Sequence, residues 1–331
     1  MIGPGRGVEL SYRVITVVNL VQLVLIPALL VAWQAWESTL SFGAWMLRTM
    51  AVGSLLLLMD RLLDWSFLST WGRTVMWVLF GVAFITSGVR AFRQPLWVRP
   101  EGRSWIPVVA SILVIAGTAV PLANSLRGLS VPGEPVALTF PFRGGCFHIA
   151  HGGSRKIING HMKVAAPDLR AWRGQMWGLD VFKLYPMGNR ARGFFPENLE
   201  DYAIFGEPVY APCEGEVVAT ENELPDLIPP DTDTVNKAGN YVLLTCGDEA
   251  VILLAHLKQG SVAVRPGEWV TVGDRLGEIG NSGNTTEPHL HISAQRDVGD
   301  ETILDAEPRA MTFDGDWLVR NDVVCFDGKP D

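Results

Sequence analysis

All six histidines of this 331-residue chain fall between residues 148 and 291: His148, His151, His161, His256, His289 and His291. A lone histidine is most often a satisfied core or surface residue, so spacing carries the information. His289-Leu290-His291 is an H-x-H pair. On a strand, residues i and i+2 project to one face, so both imidazoles reach one site while Leu290 packs inward. Zinc hydrolases use three protein ligands of N or O type, leave the remaining position to water, and keep proton-moving and oxyanion-stabilising groups nearby. His291 or His289 supplies one such ligand. A second histidine and a carboxylate must come from elsewhere. His161, after the Asn159-Gly160 turn, and Asp180, entering the strand-like Leu179 to Phe182, are the leading candidates. Asp168, seven residues after His161, is a rival carboxylate, and His151, before two glycines, competes with His161. His256 closes the apolar run from Val251, where a ring with polar nitrogens is costly unless partnered.

The elements that must hold these groups are short strands. Runs rich in Val, Ile and Leu recur between Gly and Pro turns: Pro208 to Ala211, Gly215 to Thr220, Asn240 to Cys246, Ala250 to Leu257, Trp269 to Val272 and Leu290 to Ala294. Leu138 to Phe142 reads as a first strand, and no amphipathic helix is evident after residue 205. Gly206 to Val218 is a strand, a Pro turn and a Gly-initiated strand, and Pro266 to Gly280 repeats the idea. Such punctuation suits small barrel-sandwich sheets, where Gly supplies positive φ at sharp turns. The four cysteines lie in this half, none in a C-x-x-C pair. Cys146 with Cys325 could tie the ends of the domain and Cys213 with Cys246 could pair; four buried thiols are the alternative.

Three segments together resemble the lysostaphin-like (LytM-type) zinc metallopeptidases: Leu254-Ala-His-Leu257, Gly280-Asn-Ser-Gly-Asn-Thr-Thr-Glu-Pro-His-Leu-His291, and Val209 to Val218. The resemblance covers about residues 139 to 325 and implies a mainly β domain, the duplicated hybrid motif with barrel-sandwich-like antiparallel sheets. It also implies zinc as cofactor and the peptides of bacterial peptidoglycan as substrate. Carried over position by position, it makes His161, Asp180 and His291 the zinc ligands. It sets His256 and His289 as catalytic groups beside the attacking water and the scissile carbonyl. The family's commonest pattern has the ligand His and Asp four residues apart, whereas 19 positions separate His161 from Asp180, which an insertion after the Asn-x-His turn would explain. Asn240 and Asn284 are substrate-orienting or turn residues, and Lys183 to Phe205, with Arg190, Arg192 and Phe194, is expected to wall the cleft. Two other classes share such a fold. One is a non-catalytic regulator or interaction module at the cell envelope. The other is a metal-free transfer or carrier domain with two facing histidines, against which Asp180 and the third histidine argue.

The first part of the chain has another character. Up to residue 125 it carries nine Arg, no Lys and five carboxylates, a formal +4, which leaves −12 of the total −8 on the remainder. A basic, apolar segment joined to an acidic one is the composition of a membrane anchor carrying a soluble domain, and it disfavours nucleic acid as a partner. Val14 to Trp33 and Ser104 to Leu126 are uncharged and about 20 residues or more, the length a bilayer-spanning helix needs. Thr74 to Val89, extended at its start by Trp65 to Trp71, is a third span. Ser41 to Met59 is a fourth, interrupted by Arg48, which is expected to snorkel to an end. The division expected is an all-α transmembrane domain of about four helices over 1–126, a linker over 127–138 and the zinc peptidase domain over 139–331. Arginine counts on the two sides nearly balance, so orientation follows from the resemblance instead. Its substrate lies outside the cytoplasmic membrane, which places a multi-pass anchor with the catalytic domain on the extracytoplasmic side. Four spans exceed what tethering requires, and a membrane protein partner would account for them.

Overall fold

The computed structural model describes residues 6–36, 40–247, 250–296 and 304–326. The first five residues of the expected membrane domain and residues 327–331 of the expected catalytic domain therefore lie outside the described residues. The chain divides into two compact units, Met1–Leu126 and Arg127–Asp331.

The first unit is helical: α1 (Arg6–Leu20), α2 (Ile26–Trp36), α3 (Phe42–Leu62), α4 (Trp71–Ala91) and α5 (Trp105–Arg127), with a π turn over Val21–Leu25 between α1 and α2. Four stretches are long and apolar enough to cross a membrane: Tyr12–Trp36, Phe42–Leu62, Trp71–Ala91 and Gly102–Arg127. Several polar side chains of these helices pair with one another across the bundle. Gln34 Nε2 donates to Thr49 Oγ1 at 2.8 Å and to Ser87 Oγ at 3.1 Å, and the Trp45 indole donates to Ser87 Oγ at 2.9 Å. Arg48 does not reach an end of its span. It is 2% exposed, with Nη2 donating to the Gln34 carbonyl at 3.3 Å, so its charge lies inside the helical bundle. Asp60 accepts a two-pronged contact from Arg73, at 2.8 and 3.0 Å, and the Trp77 indole N–H. Trp65 to Trp71 does not prolong the third span, because Asp64 caps a 3-10 turn over Trp65–Phe67 and α4 starts only at Trp71.

The second unit is built of short strands: β1 (Val136–Leu138), β2 (Gly145–His151), β3 (Leu179–Leu184), β4 (Pro208–Tyr210), β5 (Gly215–Glu221), β6 (Asn240–Cys246), β7 (Ala250–Leu257), β8 (Trp269–Val270), β9 (Arg275–Glu278), β10 (Leu290–Arg296), β11 (Pro308–Arg309), β12 (Met311–Phe313) and β13 (Val323–Phe326). The main sheet runs β13-β2-β3-β10-β7-β6-β5-β8, with β11 on β10, and all its pairs are antiparallel. A second antiparallel pair, β4-β9, carries the glycine-punctuated segments, and β1 pairs with β12 in parallel. The first strand is thus Val136–Leu138 rather than Leu138 to Phe142. Pro141 has no N–H for a ladder, and Phe140 and Phe142 turn into the core, at 4% and 2% exposure. That core gathers Phe147, Ile149, Val181, Ile252, Leu254, Leu290 and Ile292 from the central strands. Both cysteine pairs are bonded. Cys146–Cys325 joins register partners on β2 and β13, with Cα atoms 4.1 Å apart, and Cys213–Cys246 closes a shorter loop at 5.8 Å.

Candidate metal centre

The centre of the main sheet brings together groups from distant parts of the sequence. Asp180 on β3 is the register partner of His291 on β10, and a bulge after Ile149 sets His151 of β2 opposite Asp180 on the other side. Directly opposed residues of an antiparallel pair share a face, so the carboxylate lies between two imidazole-bearing strands. His291 Nδ1 is 3.0 Å from Asp180 Oδ1.

His161 arrives from a loop. It sits in the 3-10 segment Gly160–Ala165, whose entry is capped by the fully buried Asn159: Oδ1 accepts the His161 N–H at 3.0 Å. Nδ2 of the same Asn159 donates to the carbonyls of Gly153 and Gly178, at 3.0 and 3.1 Å, pinning the turn between the ends of β2 and β3. The Gly160 N–H donates to His151 Nδ1 at 3.1 Å. The His151 nitrogen is thereby occupied in holding the loop that presents His161. His161 Nε2 comes within 3.0 Å of Asp180 Oδ1 but makes no hydrogen bond, so that contact is electrostatic rather than directed.

Ligand atoms of His161, Asp180 and His291 all lie within 4.8 Å of one another, a spacing that metal bonds of about 2 Å can bridge after small adjustments. Two imidazoles and a carboxylate are the donor set of zinc hydrolases. His291 Nε2 is buried without a hydrogen-bond partner, a costly state for a polar nitrogen that no other protein group relieves. The residues therefore fit a divalent ion. Gly178 is part of the fit, since a Cβ there would stand 2.9 Å from Cε1 of His291.

Two further histidines flank the cluster. His256 is the extra residue of a bulge: Asn240 pairs with Leu257 and Tyr241 with Ala255, which leaves His256 out of the ladder. Its φ of 66° is in the left-handed region that a non-glycine residue seldom adopts, and such a bulge re-aims a side chain. Its Nδ1 lies 2.9 Å from the Ser282 carbonyl, which can only accept, so Nδ1 carries the proton and Nε2 the lone pair. Burial, with the neighbouring histidines, pushes its pKa well below 6.5. His289 directs Nδ1 to the Glu287 carbonyl at 2.8 Å and stands ring to ring with His256 at 4.8 Å. Burial alone would lower His289, but Asp180, 3.5 Å from its Nε2, outweighs this and raises its pKa. Burial likewise would raise the Asp180 carboxyl, yet the facing His161 and His289 rings hold it well below the usual range. His291 and His151 are each pushed down to about 4, chiefly by burial.

These groups open into a cleft of about 550 Å³. Its lining includes Lys163, Leu169, Trp172, Lys237, Asn284 and Thr286. The 183–205 segment expected there is not among the lining residues. Arg190 instead lies behind the H-x-H approach, gripping Glu287 with bonds of 2.8 and 2.9 Å. Asp168 is exposed and outside the cluster. Asn240 is fully buried and staples the Leu224 and Leu257 backbone, whereas Asn284 lines the cleft. His148 bonds Asn321 Oδ1 at 3.0 Å inside the core. Asn159, Gly178 and the Arg190–Glu287 pair escape sequence reasoning; their partners are remote in the chain, and only the Asn159-Gly160 turn signalled anything.

The fold and site define an antiparallel β domain with a His–Asp–His centre suited to a divalent metal. Residues 199–303 match the model of Peptidase family M23; His256, His289 and His291 fall inside the match, and His161 and Asp180 before it. The chain is 34% identical over 113 residues to the peptidoglycan DD-endopeptidase ShyA of Vibrio cholerae, covering 34% of this chain and 22% of that one. It is 30% identical over 116 residues to the cell division protein DipM of Caulobacter vibrioides, covering 35% and 17%. The chain thus spans about a fifth of the length of these relatives. Among solved structures, a zinc-containing peptidase from Vibrio cholerae aligns at 19% identity over 53% of this chain and 39% of that one, with a TM-score of 0.30.

Proposed function

We propose that this protein is a membrane-anchored zinc metallopeptidase that hydrolyses peptide bonds of bacterial peptidoglycan, with residues 1–126 as anchor, 127–138 as linker and 139–331 as the catalytic domain. The observation that carries the reading is the convergence of His161, Asp180 and His291 at the floor of a cleft, with His256 and His289 beside them. The M23 match supports a peptidase, and the activity in the name of the Vibrio relative supports peptidoglycan as the substrate.

His161, Asp180 and His291 would hold the ion. Zinc there supplies Lewis acidity, polarising the scissile carbonyl and making water nucleophilic near neutral pH. His256, neutral at pH 7 and with Nδ1 committed to Ser282, offers Nε2 as the base that takes the water's proton. His289, with Nδ1 held by the Glu287 carbonyl and Nε2 turned to the centre 3.5 Å from Asp180 Oδ1, is placed to stabilise the developing oxyanion and to protonate the leaving amine. Asp180 keeps its negative charge throughout.

Two disulfides suit an oxidising compartment, which favours the extracytoplasmic side for this unit. The non-catalytic alternative has no observation of its own, because every group the chemistry needs is in place. Metal analysis of the purified full chain, together with mass spectrometry of digested peptidoglycan, tests the reading. About one zinc per chain and new muropeptide products, both lost in Asp180→Ala, are expected; no zinc and no products would sink it. Protection of the C-terminal unit from protease added to spheroplasts would overturn the orientation.

A further inference from the structure

The charge of the cleft runs against that of its unit. The chain beyond residue 125 carries −12, yet the cleft lining holds two lysines, Lys163 and Lys237, and a single carboxylate, Asp180. Among the described residues, neither lysine has an ion-pair partner within 4.0 Å.

Lys237 is also held in place. Its Nζ lies 3.8 Å from the centroid of the Trp172 ring, which covers one face of the ammonium and leaves N–H donors on the other. Its carbonyl accepts the Asn284 N–H at 3.0 Å, and the Asp233 N–H donates to the Gly283 carbonyl at 2.8 Å. Gly239 and Gly283, at φ of 64° and 88°, meet so closely that a Cβ on Gly283 would come 2.4 Å from the Gly239 nitrogen. The loop carrying Lys237 is thus latched to the 281–285 loop that leads into the H-x-H strand. The next residue, Ala238, accepts the His256 N–H at 3.0 Å, so the lysine stem begins one residue from the backbone that aims His256.

We propose that Lys237, backed by Trp172, forms a carboxylate-binding subsite that takes a free carboxylate of the peptide substrate on a residue next to the scissile bond. The proposal rests on the peptidase reading and specifies its substrate: an anionic peptide, selected by a preorganised cation. A pinned ammonium loses little further freedom on binding, so the charge-assisted contact goes largely into affinity. Lys163, also in the cleft lining, adds attraction at longer range.

The test uses the full chain in detergent and two probes. One is a cross-linked peptidoglycan bis-peptide with free carboxylates, and the other the same peptide with those groups converted to carboxamides. Calorimetric binding to chelator-treated protein is measured alongside kcat and KM of the zinc-loaded protein. A single charge-assisted contact corresponds to roughly tenfold tighter binding of the carboxylate form. Lys237→Met should erase that preference through KM with kcat little changed, Lys237→Arg should retain part of it, and Lys237→Glu should reverse it. Equal binding of both peptides by the unaltered protein, or a preference that survives in Lys237→Met, overturns the proposal. Preferential binding that depends on Lys237 without cleavage of either peptide would uphold the subsite and count against the peptidase reading.

Discussion

Asp180 and His291 face one another as register partners on adjacent antiparallel strands, with the carboxylate Oδ1 3.0 Å from the imidazole Nδ1. A strand pair fixes such a distance more firmly than loops can, so half of the candidate centre is built into the sheet. The other half depends on one turn, since His161 reaches the same oxygen from a loop that Asn159 and His151 secure.

Asp180→Asn keeps the shape and removes the charge. Zinc affinity should fall by roughly 100-fold or more, because altering a group that merely hydrogen-bonds a ligand costs about 10- to 100-fold and this change alters a ligand. Competition with a zinc indicator measures it. Unchanged affinity would remove Asp180 from the ligand set.

His256→Gly separates chemistry from folding. Glycine accepts a φ of 66° without strain, so the melting temperature should hold while kcat drops by about 10² to 10⁴, with zinc still bound. Full activity in this variant would transfer the base role to His289.

Chelated protein should lose stability in acid. His151 and His291 titrate at about 4 in the folded state and near 6.5 in the unfolded chain, so between those values the unfolded chain binds more protons. Their contribution is full above pH 6.5 and disappears as pH falls to 4, at up to about 1.4 kcal/mol per pH unit for each. His289 runs the other way, with stability present below 6.5 and lost as pH rises through its raised value, but it is one group against three, because His256 is also held well below 6.5. Asp180, depressed, loses its contribution only below its ordinary value of 3.8. Thermal melts from pH 7 to 4 should therefore decline, and less steeply in His151→Gln. A flat profile would contradict the assigned shifts.

Arg190→Met strands the Glu287 carboxylate in a site where the two side chains are 7% and 15% exposed. Removing one partner of such a pair costs about 3 kcal/mol, and the added change Glu287→Leu should restore much of it. Urea titration reads both. The His289 carbonyl partner belongs to Glu287, so kcat of the single variant should fall as well.

Much of this architecture is local in origin and was therefore legible. Ala250–Leu257 and Leu290–Arg296 alternate or run apolar between turn residues, and i and i+2 on a strand share a face whatever the fold. His151 and Arg190 show where local reading stops. One looked like a rival ligand and is a brace for Gly160; the other was expected in the cleft wall and stands behind His289, gripping Glu287. Arg48 is similar, its burial settled by Gln34 on another helix.

By itself the sequence determined the division into an apolar helical part and an acidic β part, the strand positions around His256 and the H-x-H pair, and the inventory of groups able to bind a metal. Only the tertiary structure decided which histidine and which carboxylate meet His291, that the cysteines pair as Cys146–Cys325 and Cys213–Cys246, and which residues wall the cleft. The physical reason is that periodicity and turn chemistry act over a few residues. Strand register, by contrast, joins Asp180 to a partner 111 positions away, and nothing near either residue encodes that distance.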